Sequence, residues 1–220
     1  MLKKLTIRNF KAIQDMTVEF TPLTVLIGEN SCGKSTILQA IDFLRSAAFR
    51  DIPEYLREKG WSFEELKSRL NDGFNKPIEL ITEWNLAVKE QTKTLLWNFS
   101  IDYTKTWCIH ETIMNLSDNK LILSYHSNGQ DNTPPLLGSI NIQSSALKYI
   151  AGTSIDTDEI DKLSFFLSDS ANFEVLSPDK MREGKKLPYT KTIGAGGETL
   201  AYCIDKMNEG EKQLLNSVCL

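Results

Sequence analysis

The sequence predicts a mixed α/β fold in which a strand–loop–helix unit is joined to an antiparallel β subdomain with flanking helices. A glycine-rich turn separates an apolar run from a helical pattern, and a period of two covers the middle of the chain. The 220 residues, 41% hydrophobic and 25% charged, are sufficient to bury one sizeable core. We expect a single lobe over 1–220 with four parts: strands, loop and first helix in 1–48, a helical insertion in 49–76, an antiparallel β meander in 77–135, and helices, a strand and a terminal helix in 136–220.

The first part of the chain predicts three strands and a helix. KLTIRNF and MTVEF alternate apolar and polar residues, as expected of two short strands. Leu23 to Ile27 form a compact apolar run of the kind found in a buried strand. After the glycine-rich turn, apolar residues recur at helical spacing, which predicts a helix from about Gly33 to Ala48.

The rest of the chain changes period twice. Ser62 and Glu65 form a capping box before an apolar stripe that ends at Leu70, so we expect a short helix there. Residues 78–126 follow a period of two and predict the antiparallel meander. Further elements are expected as follows: a loop at 127–135, short helices at 145–151 and 158–167, a strand at 173–176, and a helix over 198–218 interrupted near Gly210.

Composition excludes several classes of protein. No apolar run approaches the roughly 18 residues that cross a bilayer, and the N-terminus does not resemble a signal peptide, so we expect a cytoplasmic protein without a membrane partner. The four cysteines form no CxxC pair, which favours reduced thiols over a zinc site or a disulfide framework. The net charge of -4 argues against a globally basic nucleic-acid binder. It does not exclude nucleic-acid binding by a local basic patch.

One motif carries chemistry. Residues 28–35, GENSCGKS, match the pattern GxxxxGK[ST], in which backbone N–H groups and a helix N-terminus surround phosphate oxygens. Lys34 is expected to reach the β- and γ-phosphates as the catalytic residue, and Ser35 to ligate the magnesium ion that bridges them. The predicted nucleotide-binding residues are Gly28, Glu29, Asn30, Ser31, Cys32, Gly33, Lys34, Ser35 and Thr36. The alternative is a glycine turn at a helix start that binds no ligand.

The same motif carries a family resemblance. GENSCGKST, with Asn30 two residues after the first glycine, resembles the GxNGxGKST loop of ABC-type ATPase heads, particularly the SMC, RecF and OLD-like group. Ser31 stands where that group usually has glycine. LTIRNFKAIQDMTVEF is similar to the N-terminal strand pair of the group, and the segment from Val175 to Met207 resembles its proline-arginine box followed by an IG-x-x-GE-x-LA helix.

The resemblance implies a mechanism with several parts. Heads of this type bind ATP and Mg²⁺ in one subunit and hydrolyse ATP when the signature loop of a second subunit closes over it, which implies a homodimer of heads. A Walker B strand ending in Asp-Glu is also required. The most similar string here, Ala201 to Asp205, is followed by Lys206 and lies on a helical pattern, so Asp205 is interpreted as an exposed helix residue. We therefore expect a truncated head with Walker B and its switch histidine downstream of Leu220, and little hydrolysis by this chain alone. DNA repair or anti-phage defence, with DNA and a nuclease or effector as partners, is the expected setting.

Several interpretations stay open. Ala195 to Glu198 resembles a signature loop, a pre-signature segment or a capping turn, and Cys32 is either a redox-sensitive thiol or incidental. Gln143 is a candidate for the Q-loop glutamine. A basic cluster is either a solvated loop or a contact to phosphate, DNA or a partner; its residues are Lys180, Arg182, Lys185, Lys186 and Lys191. The alternative functions are a P-loop small-molecule kinase and a non-catalytic interaction module with a vestigial P-loop.

Overall fold

The fold was obtained as a computed structural model, which describes residues 1–30, 32–70, 73–103, 107–127, 142–150, 153, 157–169, 200–210 and 212–213. Contacts divide the chain into two units, Met1–Ser168 and Asp169–Leu220. The strands are β1 (Leu2–Phe10), β2 (Ile13–Glu19), β3 (Ile78–Val88), β4 (Gln91–Tyr103), β5 (Trp107–Asn115) and β6 (Lys120–His126). The helices are α1 (Lys34–Phe49), α2 (Ile52–Lys59), α3 (Leu147–Ile150), α4 (Asp158–Asp169) and α5 (Leu200–Lys206), with a 3₁₀ turn at Gly73–Asn75.

The six strands form one antiparallel sheet in the order β2-β1-β3-β4-β5-β6. β3 to β6 follow one another through short connections, as expected of a meander, and the β1–β2 pair joins the sheet along β3. The predicted strand pair and meander are therefore confirmed. With its helices, the protein has the mixed α/β fold that the sequence predicts.

The alternation along the strands separates a buried face from an outer face. In β3 every second residue from Ile78 to Val88 is buried, and the residues between them are partly or fully exposed. β5 shows the same alternation, with Ile109, Glu111 and Ile113 on the buried side. A one-residue shift of register would bring the opposite set inside, so the apolar period fixes how the strands pair.

Helix α1 supplies the centre of the core. Its Phe43 is fully buried, and the Phe43 ring centroid lies 5.8 Å from that of Phe10, 5.7 Å from that of Tyr55 and 6.3 Å from that of Phe99. These rings belong to β1, α2 and β4, so one side chain connects both helices to the sheet. Tilted and edge-on ring contacts of this kind add to the stabilisation from burial alone.

Two sequence predictions in this unit are wrong. Leu23 to Ile27 do not form a strand, and Leu23, Val25 and Ile27 are 59%, 68% and 90% exposed. An apolar run becomes a strand only where a neighbouring strand completes its ladder, and no described residue supplies one here. Ser62 to Leu70 do not form a helix either, although the Ser62 N–H donates to Glu65 Oε2 at 2.6 Å, as a capping box requires. The segment remains a series of turns because Lys67 instead bridges Phe10 of β1.

The remaining predicted elements are confirmed in part. The helices expected at 145–151 and 158–167 correspond to α3 and α4, and the first part of the terminal helix is present as α5. The strand expected at 173–176 and residues 128–135 of the expected loop lie outside the described residues.

Candidate phosphate-binding loop

The glycine-rich loop ends where α1 begins, and Gly33 makes that junction. Gly33 has φ 98°, a left-handed conformation that glycine adopts without strain. Its carbonyl accepts the first helical hydrogen bond, from Ile37 N at 3.1 Å. A Cβ at this position would lie 3.4 Å from Ile13 Cγ1, so the loop also packs against the start of β2. The backbone therefore needs glycine here for its dihedral angle.

Lys34 closes the loop on itself. Its Nζ donates to the carbonyl oxygens of Gly28 at 2.8 Å and Glu29 at 2.6 Å, and it lies 3.7 Å from Cys32 Sγ. The ammonium thus lies between the first residue of the motif and the first turn of α1. This is the position from which a lysine can exchange carbonyl partners for phosphate oxygens.

Gly28 lies close to the side chain of Cys32. A Cβ built on Gly28 would lie 2.8 Å from Cys32 Sγ, so a larger residue would require the Cys32 side chain to move. The turn is completed by Cys32 N, which donates to the Glu29 carbonyl at 3.4 Å. The two glycines of the motif therefore differ: the backbone dihedral angle favours glycine at Gly33, whereas the contact with Cys32 limits the space at Gly28.

The first turn of α1 presents its residues unequally. Ser35 is more accessible than Thr36, which is 8% exposed and belongs to the buried side of the helix. No acidic side chain lies in this turn. The unpaired N–H groups and the helix dipole at such an N-terminus favour an anion. Ser31 lies outside the described residues.

The structure does not bring Gln143 to this loop. The Gln143 carbonyl accepts from Ile52 N at 2.7 Å, and Ser145 N donates to the Ala47 carbonyl at 2.8 Å. Ala47 is twelve residues after Ser35 on the same helix, which corresponds to about 18 Å at 1.5 Å per residue. Gln143 therefore lies near the opposite end of α1, and the structure does not support this candidate for the Q-loop glutamine.

The other candidate residues are placed as follows. Asp205 lies on α5 with its side chain 73% exposed, 3.7 Å from Lys206 Nζ, which confirms the interpretation of Asp205 as an exposed helix residue. Residues 195–198 and the basic cluster at 180–191 lie outside the described residues.

Sequence reasoning missed a buried carboxylate beneath the far end of α1. Glu111 is 1% exposed; its Oε1 accepts from Trp97 Nε1 at 2.8 Å and Ser145 Oγ at 2.6 Å, and its Oε2 accepts from Ala146 N at 2.6 Å. Burial raises the pKa of Glu111 to about 7, although the three donors act in the opposite direction. The sequence did contain a signal, because Glu111 occupies an inward position in the alternating segment IHETI.

A second unexpected group lies at the β1–β2 turn. Lys11 Nζ is 3.0 Å from the centroid of the Trp61 ring, and burial lowers the pKa of Lys11 to about 8. The charge of the neighbouring Glu65 opposes this shift in pKa, whereas that of Lys59 adds to it. The contact is a cation–π interaction between the turn and the segment that follows α2.

The arrangement belongs to the class of P-loop nucleoside triphosphatases. Its features are a strand pair, a glycine-rich loop closed by its own lysine, and a helix that begins at that loop. Within that class, the family model of the AAA ATPase domain matches residues 1–190, and the chain belongs to this family. Segments of the chain are also similar to an OLD nuclease and to a RecF protein, in agreement with the resemblance noted in the sequence. No helix among the described residues is long and apolar enough to cross a membrane.

Individual proteins match shorter parts of the chain. An OLD nuclease of Thermus scotoductus is 46% identical over 44 residues, 20% of this chain and 8% of its own. Septu protein PtuA of Bacillus mycoides is 33% identical over 97 residues, 38% of this chain and 14% of its own. The DNA replication and repair protein RecF of Lactococcus lactis is 37% identical over 70 residues, 30% of this chain and 19% of its own. The matched segments span less than a fifth of each relative's length.

The chain also matches a solved structure described by ATP-driven dimerization and DNA-stimulated activation of SMC ATPases. The match covers 98% of this chain and 97% of that chain, at 16% identity and a TM-score of 0.38. That score is too low to support an argument.

Proposed function

We propose that this chain binds MgATP through residues 28–36 as one head of an SMC/RecF/OLD-like ATPase. The observation that carries the proposal is the position of Lys34 Nζ, 2.8 and 2.6 Å from two loop carbonyls at the N-terminus of α1. An arriving phosphate replaces those carbonyls with charged oxygens, which form stronger hydrogen bonds to an ammonium. The accessible Ser35 hydroxyl then supplies an oxygen ligand to Mg²⁺, the kind of donor that this ion prefers.

The binding experiment compares three proteins by calorimetry with MgATP: the unchanged chain, Lys34→Ala and Lys120→Ala. Lys120 is an exposed lysine at the start of β6, so its variant controls for the loss of one positive charge. We expect Lys34→Ala to abolish measurable binding and Lys120→Ala to retain it. Equal affinity in all three proteins would refute the proposed site.

Hydrolysis is proposed to need a second head and a Walker B acid other than Asp205. The reason is that Asp205, the nearest match to a Walker B acid, belongs to an exposed helix rather than to a strand. We therefore expect the purified chain to bind ATP and turn it over very slowly. Rapid ATP hydrolysis by the chain alone, lost in Lys34→Ala, would show that the catalytic acid lies within it.

The proposed setting is DNA repair or anti-phage defence, in a head-to-head homodimer with DNA and a nuclease or effector as partners. Support comes from the segments shared with a RecF protein and an OLD nuclease. The alternatives are outcomes of the same experiments. Phosphate transfer from ATP to an added nucleoside or sugar would indicate a kinase. If no nucleotide raised the melting temperature, a non-catalytic module would be indicated, because a ligand at a hundred times its Kd adds about 2.7 kcal/mol.

A further inference from the structure

Two histidines face each other on the outer side of the sheet, away from the ATP-binding loop and the core. His110 of β5 is the register partner of His126 of β6. The Ser127 N–H donates to the Ile109 carbonyl at 3.0 Å, directly beside this pair. That hydrogen bond makes His110–His126 a non-hydrogen-bonded pair, the kind in which opposite Cα atoms are about 4.5 Å apart and side chains are closest.

The two imidazole rings are in direct contact. Their centroids lie 3.5 Å apart with an angle of 63° between the ring planes. Two imidazoles bound to one tetrahedral zinc ion through nitrogens at about 2.0–2.1 Å have ring centroids about 5 Å apart. The two rings would therefore have to separate to share an ion, and the Cβ spacing of about 4.5–5.5 Å in such a strand pair leaves room for that movement.

The surroundings favour a metal held by imidazoles rather than by carboxylates. A cavity of about 370 Å³ beside His110 is lined by Glu79, Ser100, Asp102 and Cys108 as well as Pro77. Its two carboxylates already have cationic partners, because Arg8 lies 2.9 Å from Glu79 and Lys67 lies 2.8 Å from Asp102. Among the described residues, no group of three or more acidic, cysteine or histidine side chains converges as a metal site. An ion held by the two imidazoles would take its remaining ligands from water.

The chemistry of the pair selects the class of ion. Neutral imidazole suits zinc, copper and nickel, whereas magnesium and calcium prefer oxygen ligands. The pair would thus discriminate against the Mg²⁺ expected at the nucleotide site.

We propose that His110 and His126 form a two-histidine site for a first-row transition metal ion, with Zn²⁺ as the reference ion. A bound ion would cross-link β6 to β5. β6 lies at one edge of the sheet and has only this one strand neighbour among the described residues, so the cross-link would stabilise an edge strand.

The experiment titrates ZnCl₂ into the full chain by calorimetry, with melting temperature as the second measurement. We expect one ion per chain, a higher melting temperature with zinc, and no effect of MgCl₂. His110→Gln and His126→Gln should each weaken zinc binding by at least roughly tenfold and remove the rise in melting temperature. Thr112→Ala and Ser124→Ala, on the same outer face, serve as controls that retain both effects.

Each other outcome overturns the proposal. Absence of zinc binding at millimolar concentration would exclude the site, as would unchanged binding in either histidine variant. Loss of binding in Cys108→Ser would show a thiol-based site instead. Melting curves of the variants without metal establish that both are folded, and the pair lies on the outer face, so neither substitution opens the core. None of these measurements involves ATP, so their outcome tests the metal site independently of the P-loop proposal.

Discussion

The buried Glu111 carboxylate makes the stability of this protein depend on pH. Its pKa is raised from 4.5 to about 7 in the folded state because burial disfavours the charged form. A group with a raised folded-state pKa contributes stability that is complete below the pKa of the unfolded chain and is lost as pH rises through the folded pKa. Stability should therefore fall between about pH 5 and pH 8.

The size of the effect follows from the difference in pKa. A pKa difference of about 2.5 corresponds to about 3 kcal/mol over the complete titration, at about 1.4 kcal/mol per pKa unit. Between pH 5 and pH 8 the linkage relation gives a loss of roughly 2–3 kcal/mol. Ser145 Oγ, 2.6 Å from Oε1, can accept a hydrogen bond from the protonated acid.

Glu111→Gln tests this argument. The side-chain carbonyl of the introduced glutamine can keep the hydrogen bonds from Trp97 and Ser145, but its NH₂ group would face the Ala146 N–H, which should cost about 1–3 kcal/mol at pH 5. Because glutamine does not titrate, the variant should lack the additional loss of stability at pH 8.

The assay is urea unfolding at pH 5, 6, 7 and 8, analysed as the difference between the two proteins so that other ionisations cancel. Glu64→Gln, an exposed position, provides the control for the change in charge. The reasoning would be refuted if the unchanged chain and Glu111→Gln lost stability with pH in parallel.

Three further predictions concern the loop, the core and the β1–β2 turn. Gly33→Ala should reduce the free energy of unfolding by about 1–2 kcal/mol because its φ is 98°. Gly60→Ala, with φ 68° and no atom within 4 Å of the added Cβ, should cost about as much, and no measurable loss at either glycine would contradict the dihedral argument. Phe43→Ala should cost about 3–5 kcal/mol in urea unfolding because the side chain is fully buried, and a loss under about 1 kcal/mol would contradict its central role. Lys11 should acylate with a midpoint near pH 8 in competitive labelling followed by mass spectrometry, because burial lowers its pKa to about 8; a midpoint above about pH 10 would contradict the burial effect.

The parts of the fold that local pattern specifies could be predicted. Alternation places β1, β2 and the meander from β3 to β6, and helical spacing after Gly33 places α1, which begins at Lys34. Most of their hydrogen bonds form within α1 or between strands that follow one another in the chain, and the β1–β3 pairing is the exception. The motif of the candidate site could be predicted for a similar reason, since all its residues are adjacent in the chain.

The parts that depend on distant partners could not be predicted. Leu23 to Ile27 have the composition of a buried strand but lack a neighbouring strand among the described residues. The capping box at Ser62 forms its hydrogen bond without a helix, because Lys67 pairs with Phe10. Gln143 is near the loop in neither sequence nor space, and only the hydrogen bonds to Ile52 and Ala47 reveal where its segment lies.

The sequence by itself determined the class of protein, because the P-loop motif is local. Its glycines, lysine and hydroxyl lie within one short consecutive stretch, residues 28–36. Tertiary structure alone decided which groups come into contact: Glu111 with Ser145 and Ala146 inside the core, and the imidazole rings of His110 and His126 outside it. The physical reason is that burial, pKa and ring contacts depend on side-chain positions and on neighbours that are distant in the chain, which a linear pattern does not specify.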